Sequence, residues 1–141
     1  MNSQSENGAF VLRISLGVAI IAHSLYLKMM VFTLAGTAQF FGSLGLPEFM
    51  AYVVFIIESI TGIALLLGIY SRYAAAILIP VLLGATWVHF PSGWLFSNAN
   101  GGWEYPLFLS FTALAQTFLG DGAYALKSLK LGTVNTQPKM S

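Results

Sequence analysis

Residues 49–70 form an almost unbroken apolar run with one acid, Glu58, near its middle. A run of this length crosses the ~30 Å hydrocarbon core as a helix, because only a helix of about 20 residues satisfies every backbone polar group on the way. An ionisable group at that depth costs at least about 2.5 kcal/mol, so it faces a bundle interior and takes a partner. Similar runs precede and follow. The whole chain is 57% hydrophobic and only 8% charged, against about 25% charged in a soluble domain. That is too little charge to cover a water-facing surface.

The pattern predicts an all-α integral membrane four-helix bundle. Helix one is expected over about residues 9–32, helix two over 48–70, helix three over 72–90 and helix four over 103–119. Residues 1–8 are expected to be a disordered polar tail, 9–126 the transmembrane domain, and 127–141 a polar C-terminal tail. The first apolar stretch is too long for a signal-peptide core and contains Arg13 and His23, so it reads as a retained helix. Between helices one and two, Phe40, Phe41 and Leu44 lie at helical spacing in a piece too short to span. They predict a short interfacial or re-entrant helix. Ser71 and Arg72 mark a tight turn, Pro80 falls inside helix three, and Glu104 with Pro106 signposts the start of helix four.

With four spans, Arg13, Arg72, Lys127, Lys130 and Lys139 fall on one side and Lys28 on the other. The positive-inside rule then puts both termini in the cytoplasm. Trp87, Trp94, Trp103 and Tyr105 cluster at the outer face as an aromatic belt. The net charge of +1 is scattered, which argues against nucleic-acid binding, and the absence of cysteine excludes a dithiol relay or thiolate-bound iron–sulfur cluster within the chain.

Glu58, His23, His89 and Glu104 fall on different apolar segments, all in the outer half of the bundle at about 1.5 Å rise per residue. Glu58 shares a stripe with Ala51, Phe55, Thr61, Gly62 and Leu65. Each polar residue also has a plain structural reading. Glu58 and His23 can be hydrogen-bonded packing residues, His89 a solvated interface residue, and Glu104 a helix-dipole partner. Arg13 and Arg72 read most simply as snorkelling interface anchors.

Several ordered motifs stand out: Arg13-x-x-x-Gly17 with His23, Ser24 and Lys28; Leu44-Gly45-Leu46-Pro47; Glu58-x-x-x-Gly62 through Gly68 and Arg72; and Gly101-Gly102-Trp103-Glu104-Tyr105-Pro106. Together they resemble the DoxX family of small four-helix membrane proteins, over about residues 10–127. The resemblance implies a membrane subunit of an oxidoreductase system near the quinone pool, in a bacterial cytoplasmic membrane. One branch of the family serves thiosulfate:quinone oxidoreduction; others accompany soluble redox enzymes. A soluble redox partner and a homo-oligomer are both compatible with it.

On that reading Glu58 is a buried proton donor to a quinone, His23 and His89 its relay, and Glu104 the outer proton entry. Phe55, Trp87, Trp103 and Tyr105 are the candidates to line the headgroup slot. Electrons must come from a partner, because the chain carries no recognisable flavin or dinucleotide loop. A metal site is disfavoured, since no short His-x-x-x-His spacing occurs. A non-catalytic scaffold for a soluble enzyme and a small-solute or proton permease remain the alternatives.

Overall fold

The computed structural model describes residues 2–126; the polar tail expected over 127–141 lies outside them. The described chain is all α. Helix α1 spans Ser3–Ile21 and continues without a break as a π-helical segment, Ala22–Val31. Then come α2 (Leu34–Ser43), α3 (Phe49–Leu67), α4 (Ser71–His89), a 3₁₀ turn (Phe90–Ser92) and α5 (Glu104–Leu119).

The boundaries follow from local chemistry. The first helix begins at Ser3, not at residue 9, because the Asn2 side chain accepts from the Ser5 N–H at 2.9 Å and caps it. The polar residues 3–8 are therefore helical in the structure. Thr33 caps α2 in the same way, accepting from Gly36 N–H at 3.1 Å. Gly68, at φ +71°, ends α3 in the left-handed conformation that glycine adopts without strain. Tyr70 is also left-handed, at φ +48°. The turn thus lies at Gly68–Tyr70, one step before the expected Ser71–Arg72, and α4 begins at Ser71. Helix α4 runs through Pro80 to His89.

The long helices close a ring: α1 packs on α3, α3 on α4, α4 on α5, and α5 back on α1. The core holds Leu16, Ile20, Leu65, Ala75, Leu78 and Ala113 among others. Two glycines set the α1–α3 approach. A Cβ at Gly17 would stand 3.3 Å from the Gly62 carbonyl oxygen, and one at Gly62 only 2.8 Å from the Ile21 side chain. Small residues at such crossings let helices meet closely where lipid supplies no hydrophobic drive.

The outside is apolar too, with Ile60, Phe108, Phe111 and Phe118 among the exposed side chains. Three helical stretches are long and apolar enough to cross a membrane: Ser3–Val31, Phe49–Leu67 and Ser71–Ser92. Helix α5 has 16 residues, about 24 Å at helical rise, and so falls short of the hydrocarbon thickness on its own.

Candidate functional site

Helix α3 buries Ala51, Glu58, Thr61, Gly62 and Leu65, the stripe expected from spacing, while Phe55 is half-buried at its edge. Glu58 is 5% exposed, and its carboxylate accepts from the Lys28 ammonium in a partly buried ion pair. Lys28 reaches it from the π-helical segment. Long π stretches are rare, and π geometry is frequent at functional sites. Among the described residues no hydrogen bond joins Glu58 to His23, His89 or Glu104. The buried acid does have a partner, but that partner is a cation from the π-helical segment.

His23 lies in the same π segment, five residues before Lys28. Its Nδ1–H donates to the Ala19 carbonyl at 2.7 Å. A carbonyl only accepts, so Nδ1 carries a proton and Nε2 is left free to face other groups. Its ring stacks on Tyr105 at 5.9 Å between centroids. Tyr105 in turn lines a groove of about 470 Å³ with Trp94, Phe96, Glu104, Leu107, Phe108 and Phe111. Glu104 Oε1 accepts from Phe96 N–H at 3.1 Å, which fixes the carboxylate at the groove beyond a simple dipole role.

The segment between α4 and α5 is built to hold that groove. Trp103 N–H donates to Gly93 O at 3.1 Å and Glu104 N–H to Trp94 O at 3.2 Å. Trp103 stacks edge-on against Trp94 at 4.4 Å and tilted against Phe90 at 5.3 Å. Gly102 is required here, since a Cβ would lie 2.3 Å from the Leu95 carbonyl.

The expected site residues therefore separate into groups. Glu104 and Tyr105 share the groove, with His23 stacked behind Tyr105. Glu58 lies with Lys28. His89 Nδ1–H donates to Asn100 O at 3.2 Å and steadies the loop. Trp103 supports Trp94, while Trp87 is 63% exposed and lines a separate apolar depression with Leu44, Val88, Phe90 and Pro91. Among the described residues no three His, Asp or Glu converge as metal ligands.

Two residues carry more than the sequence suggested. Lys28 enters the sequence reading as the lone outer cation and a member of the first-helix motif; its signal as the Glu58 partner is an opposite charge in the same half of the bundle. Arg13 is not a snorkelling anchor. It is 0% exposed, and donates from Nη1 to Leu65 O at 2.8 Å and from Nη2 to Ala123 O at 3.0 Å. Those bonds tie the end of α3 to the segment after α5, and Asp121 adds a favourable charge. Arg72 is exposed, as an anchor would be.

The DoxX family model matches residues 8–91. A Bacillus subtilis (strain 168) protein named "Putative oxidoreductase CatD" is 34% identical over 138 residues, covering 96% of this chain and 99% of its own. No solved structure matches significantly. With a family model over more than half its length and a full-length relative, the chain belongs to the DoxX family of membrane proteins.

Proposed function

We propose that this chain is the membrane subunit of an oxidoreductase system, docking a quinone headgroup in the Glu104–Tyr105 groove and supplying it with protons. The observation that carries the reading is the position of His23. It stacks on the groove residue Tyr105, while its own π-helical segment delivers Lys28 to Glu58. It is thus linked to the aromatic groove through Tyr105 and shares a helical segment with the cation of the charged pair. Reducing a quinone to a quinol takes two electrons and two protons. The electrons come from the reduced cofactor of a soluble partner. Glu104 hands protons to the headgroup oxygens, and His23 Nε2 passes protons between the groove and the Lys28–Glu58 pair. The printed name of the Bacillus relative supports the redox setting.

The test is a titration of purified protein in lipid nanodiscs with decylubiquinone, read by quenching of tryptophan fluorescence. Trp94 lines the groove, so saturable quenching is expected. Tyr105→Leu should weaken it about tenfold, the equivalent of about 1.4 kcal/mol. Linear, unsaturable quenching identical in the variant would reject the groove as a headgroup site.

In this reading α5 completes a fourth crossing, with both termini in the cytoplasm of a bacterial cell. Arg72 now carries the basic bias among the described residues, since Arg13 and Lys28 are both engaged inside the bundle. The chain has no cysteine, so single reporters are unambiguous. Ser97→Cys should react with an impermeant maleimide in intact cells and Ser5→Cys only after lysis. The reverse pattern would invert the topology.

A further inference from the structure

The end of the bundle opposite the groove holds a second polar centre, which the proposed function does not use. Arg13, Ser71 and Gln116 are each 0% exposed. Each keeps one buried polar atom without a partner among the described residues: Arg13 Nε, Ser71 Oγ and Gln116 Oε1. The three belong to one knot. Asp121 Oδ1 accepts from Ser71 N–H at 2.8 Å and acts electrostatically on Arg13. Gln116 Nε2 donates to Gly120 O at 2.6 Å, next to Asp121 in the chain. Arg13 Nη2 donates to Ala123 O, two residues further on.

Three orphaned polar atoms in one buried knot are a large imbalance, because buried polar groups are nearly always satisfied by protein or by ordered water. Their chemistry defines what would satisfy them. Arg13 Nε–H can only donate. Gln116 Oε1 can only accept, and its orientation is fixed because Gly120 O requires the amide N–H₂ on the other side. Ser71 Oγ can do either. A small anion would meet the Gln116 oxygen and the Asp121 carboxylate; a metal cation would meet the Arg13 guanidinium. A neutral molecule that both donates and accepts suits all three, and buried waters typically make about three such bonds. We propose that this knot is a binding site for structural water, held by Arg13 Nε–H, Ser71 Oγ and Gln116 Oε1, which hydrates the buried guanidinium inside the bundle.

The test is water-edited solid-state NMR of arginine-labelled protein in lipid bilayers. The described chain has two arginines, Arg13 and Arg72, so the two Nε signals are separable, with Arg72→Lys giving the assignment. Exposed Arg72 is the positive control for transfer from water. The proposal expects transfer to Arg13 Nε as well, despite its complete burial. It expects the Ser71→Ala, Gln116→Met double variant to lose that transfer while keeping transfer to Arg72. Absence of transfer to Arg13 in the unaltered chain would overturn it. So would transfer that survives the double variant unchanged. The Arg13 Nη shifts, which report the carbonyl bonds to α3, show whether the variant stays folded.

Discussion

Glu58→Leu should lower the unfolding free energy by about 3 kcal/mol, because it leaves the partly buried Lys28 ammonium without its counter-charge. Lys28→Met should cost a similar amount for the mirror-image reason. The Lys28→Met, Glu58→Leu double variant should recover most of the loss, since a buried pair replaced by apolar groups of similar volume is often neutral. Thermal unfolding of the four proteins in one detergent closes the cycle and isolates the pair's coupling. Additive losses would show that the two side chains do not interact. The double variant also separates packing from chemistry. If it is stable yet fails in quinone-linked proton uptake, the pair serves the reaction. If it is stable and fully competent, the pair is structural.

Arg13→Met should cost at least about 2 kcal/mol. It removes donors from Leu65 O, Leu66 O and Ala123 O; Leu65 O keeps the Gly68 N–H, while each of the other two carbonyls left unpaired costs about 1–3 kcal/mol. Arg13→Lys should not restore stability. One ammonium cannot reproduce the planar fork that spans the end of α3 and the segment after α5. The lesion should be local first: residues 120–126, held also by Ala123 N–H to Glu6 O and Leu126 N–H to Leu67 O, should become protease-sensitive before the helices unfold. Unchanged melting and unchanged cleavage in Arg13→Met would contradict this role.

The α3 stripe was legible because period and composition agreed: Ala51, Glu58, Thr61, Gly62 and Leu65 recur on one face, and all five are buried. The short helix before α3 was legible for the same reason, and the start of α5 at Glu104 from the acid and proline of its first turn. The helical start at Ser3 was not legible, because residues 3–8 are polar and show no apolar stripe; the Asn2 cap emerges only in the structure. The π geometry of Ala22–Val31 has no marker in the sequence, since it is a choice of carbonyl partner made once neighbouring helices are packed. The pairing of Glu58 was half legible. Depth put several candidates on its side of the membrane, but choosing Lys28 over His23 needed the rotation of α1 against α3. Arg13 was misjudged because a cation eleven residues into a long helix looks the same whether it reaches water or a neighbouring helix's last carbonyls.

The most direct measurement is photolabelling with an azido-quinone in native membranes, followed by peptide mapping. The account predicts label within residues 94–111, the span that holds every lining residue of the groove, displaced by excess unlabelled quinone and lost in Tyr105→Leu. Competitor-insensitive label spread over the lipid-facing surfaces of α3 and α4 would contradict it.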